Sequence, residues 1–192
     1  LTVAWFSALQ LLAVAPFLVL GPLVAKRHVL GAGGWGLILG CVGAGAAVGA
    51  AVAAVLPTRR PLRPAIATYA LYALPLLALA RSGSLPIIAG AAALAGGSGG
   101  FFAATWFTVF QRNVPRDAMS RVSAWDWEAS LAGLPLGMLI APQVAQVAGV
   151  QSTLLVAAAA TVVLTALVAC RPGLSAPVTV SGASAGHPHP SR

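Results

Sequence analysis

The sequence predicts an all-α integral membrane protein of six transmembrane helices, and three observations carry that expectation. Charged residues make up 7% of the chain, against the ~25% usual in a soluble domain, which is too little polar surface to cover a globule in water. Hydrophobic residues make up 59%, with a mean hydropathy of +0.91. The apolar residues fall in runs close to the ~17–25 that cross a bilayer as a helix. Lipid offers backbone groups no partners and the runs lack period-2 alternation, so helices are required and a β-barrel is excluded.

The first span is residues 1–25, uncharged and punctuated by Pro16 and Pro22. The second lies within 34–56. The third, 64–80, is 17 residues long and sits near the lower limit for crossing. The fourth lies within 85–111. From Ala129 to Cys170 the chain runs 42 residues without a charge, too long for one helix. The stretch "PQVAQVAGVQS" divides it into a fifth span near 122–144 and a sixth near 152–170. These spans make residues 1–171 one bundle. Residues 172–192, rich in Ser, Pro, Gly and Ala, read as a disordered tail. The chain begins at Leu1 inside an apolar run with no charged region before it, which reads as a truncated start rather than a signal peptide.

The basic residues give the orientation. A net charge of +8 raises the question of nucleic acid, but aromatics are sparse and the cations form short clusters between apolar runs. Assigning connections alternately to two sides gives one side Lys26, Arg27 and Arg81. The other receives Arg59, Arg60, Arg63, Arg112, Arg116, Arg121 and Arg171. The positive-inside rule then puts the second side and both chain ends in the cytoplasm of a multi-pass cell-membrane protein.

Small residues concentrate in two spans. Gly36, Gly40, Gly45 and Gly49 form two GxxxG pairs in the second, and Gly96 and Gly100 form another in the fourth. Such spacing lets helix backbones approach closely, for tight packing or for a moving hinge.

Chemistry is harder to find. "GGSG" (96–99) raises intramembrane serine proteolysis, which needs a base within hydrogen-bond reach of the hydroxyl. His28, His187 and His189 lie in a loop and the tail, so no span supplies that base. The glycine-rich stretches lack the lysine of a phosphate loop. Cys41 and Cys170 sit in separate runs and make neither a disulfide framework nor a metal site. The expectation is therefore no enzyme, no cofactor and no metal.

What remains is the polar content of the spans: Gln10, Thr105, Thr108, Ser123, Asp126, Glu128 and Ser130, with Gln111 at a boundary. Ionisable residues within spans are costly and are functional candidates by default. Residues 126 and 128 are about 200° apart on a helix, so the two acids cannot share a face. The Asp126 face continues through Ser130, Gly133 and Gly137, small and polar. The Glu128 face continues through Leu131 and Pro135, mostly apolar. Asp126 is thus the better protein-facing acid. Three roles stay open for it: a bridge to a cytoplasmic arginine, a gate that breaks and reforms, or a proton-binding coupling site. Trp125 and Trp127 read as interfacial anchors.

The stretches "PFLVLGPLVAKRHVLGAGGWGLILGCVGAGAAVGA" and "FQRNVPRDAMSRVSAWDWEASLAGLPLG" resemble the C-terminal half of the major facilitator superfamily. The branch they resemble is that of multidrug and siderophore exporters, which includes the enterobactin exporter. Gln111, Pro115, Arg121, Val122, Ala124, Asp126 and Trp127 carry the likeness, which covers residues 1–171. The resemblance implies proton-coupled efflux of a small molecule by alternating access, with Asp126, Glu128, Arg59, Arg60, Arg112 and Arg121 as candidate gate or coupling residues. Gln10, Thr105, Thr108 and Ser130 are the candidate cavity-lining residues. Gly49, Arg59 and Arg60 match the family's cytoplasmic glycine-rich motif, whose acidic position is absent here. The implied partners are the lipid bilayer, a small-molecule substrate and an N-terminal six-helix half. The competing expectation is a non-transporting membrane module that docks other proteins through its glycine-rich faces.

Overall fold

In the computed structural model, residues 2–27, 31–56, 62–81, 83–113 and 128–171 are described. All regular structure among them is helical, and six helices are long and apolar enough to cross a membrane. Helix α1 is a continuous rod made of an α-helix Thr2–Leu9, a π-helical turn Gln10–Val14 and an α-helix Ala15–Arg27. Helix α2 is Gly31–Val55. Helix α3 joins Leu62–Thr68, a 3-10 turn Tyr69–Tyr72, and Ala73–Ala80. Helix α4 is Leu85–Asn113, α5 includes Gly133–Ala148, and α6 is Val150–Ala169.

The two irregular turns have a common cause. A proline has no N–H, and its ring clashes with the carbonyl four residues earlier. Pro16 follows the π turn, where the Ala15 N–H bonds to the Gln10 carbonyl instead of that of Leu11. Pro75 likewise follows the 3-10 turn of α3. Each helix widens or tightens one turn to accommodate its proline and then continues.

The break expected across residues 142–152 is narrower than the sequence suggested. Helix α5 runs through Pro142 to Ala148, past the expected end at 144, and α6 starts at Val150. The chain turns at Gly149 alone, with φ 84° and ψ 149°. That backbone region is essentially restricted to glycine, so the residue type, and not the proline, makes the corner.

The packing order is α2 on α4, α4 on α3, α3 on α6, α6 on α5, and α5 on α1. Helix α1 closes the ring against α2 and also touches α3 and α6. The α2–α4 seam is the most extensive contact in the bundle. Here a Cβ added at Gly45 or Gly49 would strike the carbonyls of Ala93 or Gly97, and one at Gly96 or Gly100 those of Val42 or Ala46. The backbones therefore touch directly, the situation in which small residues support helix association in lipid. Only the Gly45–Gly49 pair of α2 serves this seam, because Gly36 and Gly40 face open space.

The α1–α5 seam is built the same way. A Cβ at Gly133 would strike the Ser7 carbonyl, and one at Gly137 would lie 2.6 Å from the Ala15 Cβ. The Gly133 N–H donates to Ser7 Oγ at 3.0 Å, which ties the two backbones together.

The core divides along the bundle. Leu20, Ile38, Leu76, Leu79, Ile88 and Leu154 fill an aliphatic half. Trp5, Tyr69, Phe102 and their neighbours fill an aromatic half, nearer the end where α1 starts. Large apolar side chains also cover the outside, among them Val48 at 64%, Leu139 at 70% and Val147 at 92% exposed. A water-facing surface does not carry such continuous apolar area; a bilayer-facing one does. Six spans with this surface point to a multi-pass membrane protein.

Candidate functional site

A cavity of about 240 Å³ lies between α1, α4 and α5. Helix α1 contributes Val3, Phe6 and Gln10, helix α4 contributes Gly99, Phe102, Ala103, Trp106 and Phe107, and Ser130 and Leu131 come from the start of the fifth span. On α4 these residues recur every three or four positions, so a single stripe of that helix faces the space. The cavity is in the aromatic half of the bundle.

Its walls are ordered by ring contacts. Phe6 and Phe102 lie 5.4 Å apart and 12° from parallel, and Phe102 and Trp106 lie 6.3 Å apart and 11° from parallel. Three ring planes thus run nearly parallel along one side. Trp5 and Tyr69 meet Phe102 edge-on from behind, each at 5.4 Å. Tyr72 stacks on Tyr69 at 4.9 Å, and its hydroxyl lies under Gly99, 3.4 Å from where a Cβ would be. Edge-to-face packing of this kind favours fixed ring orientations over rotating ones.

Among the described residues, the Gln10 carboxamide and the Ser130 hydroxyl belong to the lining. Gln10 is 8% exposed and Ser130 9%. Neither the Gln10 carboxamide nor the Ser130 hydroxyl has a hydrogen-bond partner among the described residues. With no protein partner, this pair is left to hydrogen-bond water or a ligand in the cavity. Both sit where their helix is irregular. Gln10 opens the π turn of α1. Ser130 precedes a break at Ala132, beyond which the Gly133 N–H leaves the helix for Ser7. Pro135 adds to that break, since it has no N–H for the Leu131 carbonyl.

The remaining sequence candidates are placed differently. Thr105 is buried but does not line this cavity. Thr108 is exposed, and its hydroxyl donates to the Ala104 carbonyl at 2.8 Å. Helix phase explains both: Thr108 lies about half a turn from the lining stripe, and Thr105 about a third of a turn. Glu128 is exposed, on the side of α5 away from buried Ser130, Gly133 and Gly137. Asp126, Arg59, Arg60 and Arg121 lie outside the described residues, as do Trp125, Trp127 and the tail histidines. Arg112 belongs to α4, with its side chain outside the description. The aromatic wall was missed by sequence reading. The recurrence of Phe102, Trp106 and Phe107 at helical spacing on α4 was the available signal.

No group of three or more His, Cys, Asp or Glu side chains with metal-site geometry occurs among the described residues. No protein-family model matches the chain, and no curated protein or solved structure matches it. Among the described residues, fold and cavity together define an all-α protein with six candidate membrane spans, three of which enclose an aromatic, sparsely polar pocket.

Proposed function

We propose that this chain is a six-helix half of a major-facilitator-type transporter that moves a small molecule by alternating access, with proton-coupled efflux as the direction. The observation that carries the reading is an internal exchange relating five of the helix contacts. Swapping α1–α2–α3 for α4–α5–α6 turns the α2–α4 contact into α5–α1, and α3–α4 into α6–α1, while α3–α6 maps onto itself. Both crossed pairs are glycine seams. Three spans per unit invert the second unit relative to the first, the arrangement from which many secondary transporters are built.

The cavity supports the same reading. It lies between a helix of the first unit and two of the second, and two of its three walls carry an irregular helical turn. Substrate sites in such transporters form at repeat interfaces. The bond from Arg63 Nε to the Ala169 carbonyl, 3.1 Å, joins the start of α3 to the end of α6. It supports the alternating assignment that places Arg63 and Arg171 on one side, taken here as the cytoplasm. Helices α2 and α5 have the least buried faces, 6% and 22%. We assign these faces to the other six-helix half. Asp126, two residues ahead of Glu128 in the chain, is assigned to a gating or coupling bridge with one of Arg59, Arg60, Arg112 or Arg121.

The test reconstitutes the full-length protein in vesicles and follows efflux of a lipophilic dye with and without a proton gradient. Gradient-dependent flux that falls in Asp126→Asn, with insertion unchanged, is the expected result. Flux indifferent to the gradient overturns the proton coupling, and no mediated flux overturns the transporter.

A further inference from the structure

We propose that the cavity between α1, α4 and α5 takes an uncharged, flat heteroaromatic molecule carrying a hydrogen-bond donor and acceptor side by side, as in a ring lactam. The inference rests on the transporter reading for its biological role, though not for its chemistry. Three features of the cavity converge on this class.

The first is shape. Phe6, Phe102 and Trp106 present nearly parallel planes, within 12° from one ring to the next. A planar ligand extends such a stack with its face covered, whereas a branched or globular one leaves part of each ring uncovered. The volume of about 240 Å³ is below the ~300–1,000 Å³ of most drug-sized pockets, which suits one fused ring system.

The second is charge. Among the described residues, none that lines the cavity is ionisable. An ion entering this space loses its water and gains no opposite charge from the described residues, which is strongly unfavourable in an apolar interior. Ring faces attract cations, so a flat cation is the competing ligand.

The third is the unpaired polar pair. Gln10 offers a carbonyl oxygen and an NH2 side by side, and a ring lactam presents the complementary N–H and C=O. Gln10 is at least nine-tenths buried, and so is Ser130, within rounding. With no partner for either among the described residues, a ligand that pairs them supplies hydrogen bonds the described residues do not. Gln10 lies about one turn beyond Phe6 on the face of α1 that also carries Val3, and that face lines the cavity.

The experiment is equilibrium dialysis of the full chain in phosphatidylcholine nanodiscs, with empty discs subtracting lipid partition. The probes are 2-quinolinone, its N-methyl derivative and 1-methylquinolinium. Saturable binding of 2-quinolinone is expected, weakened about five- to tenfold by N-methylation, the effect of one lost hydrogen bond. In Gln10→Leu the two neutral probes bind equally, both at the weaker level, and Ser130→Ala gives a smaller loss. Tighter binding of 1-methylquinolinium than of 2-quinolinone overturns the uncharged class. Indifference to N-methylation in the unaltered chain overturns the Gln10 pairing, whatever the variants do. No saturable binding of any probe overturns the whole inference. None of these results depends on a proton gradient, so the vesicle flux measurement fails or succeeds separately.

Discussion

Replacing Gly49 by Ala is expected to destabilise the bundle by about 2 kcal/mol, although alanine is the better helix former. The intrinsic preference for Ala over Gly in a helix interior is ~0.8–1.0 kcal/mol, and it acts in favour of the variant. Against it stands the α2–α4 seam. A Cβ at Gly49 would strike the Gly97 carbonyl oxygen and lie 2.7 Å from its carbon. Ordinary contacts begin at 3.4 Å, so the helices must part by at least about 0.7 Å. A gap of ~0.5–1 Å forfeits a quarter to a half of each dispersion contact along the seam. Overpacking costs ~1–3 kcal/mol, and the upper end applies because the obstacle is backbone and cannot rotate aside. Subtracting the helix gain leaves about 2 kcal/mol. Gly36→Ala is the control, since nothing lies within 4 Å of its added Cβ. It keeps only the helix gain, so the two variants differ by about 3 kcal/mol, or roughly 150-fold in the unfolding constant. Steric-trap unfolding in bicelles measures that difference. A Gly49→Ala protein as stable as Gly36→Ala would refute the direct backbone contact.

Other outcomes follow from the same geometry. Ser7→Ala removes the acceptor of the Gly133 N–H and is expected to cost about 1 kcal/mol by steric trapping. Faster hydrogen exchange at Gly133 distinguishes this from a general loosening. Gly149→Ala has open space for its methyl group but the wrong backbone angles, and is expected to lose ~1–3 kcal/mol. Gly149→Asn gives no rescue, because asparagine tolerates the left-handed helical region rather than ψ near 149°. Cys170 is exposed at the end of α6, while Cys41 is half-buried within α2. An impermeant maleimide is expected to label Cys170 in inside-out vesicles and spare it in right-side-out ones; the reverse pattern refutes the proposed orientation.

Much of the architecture is legible without coordinates. Spans of about twenty uncharged residues announce themselves, and Gln10 and Ser130 stood out as polar residues in apolar runs. The face carrying Ser130, Gly133 and Gly137 was read as protein-facing, and the three are buried, whereas Glu128 is exposed. Thr105 and Thr108 stood out for the same reason as Gln10 yet do not reach the cavity, because polarity alone does not report helix phase. The stacked rings were invisible individually, because they depend on what a neighbouring helix places opposite them. The π turn and the irregular turn at Ala132 instead trace to Pro16 and Pro135 in the chain itself.

That division has a physical origin. Lipid cannot hydrogen-bond the backbone, so any segment that crosses it is forced into a long apolar helix, and this requirement is local. The number and approximate limits of the spans therefore follow from the chain itself. In water, one apolar stripe would also tell which side of each helix faces the core. In lipid the outer surface is as apolar as the inner one, and the pattern around the helix loses that information. Gly36–Gly40 and Gly45–Gly49 are equivalent motifs on one helix. Only the position of α4 made the second pair a seam and left the first facing outward.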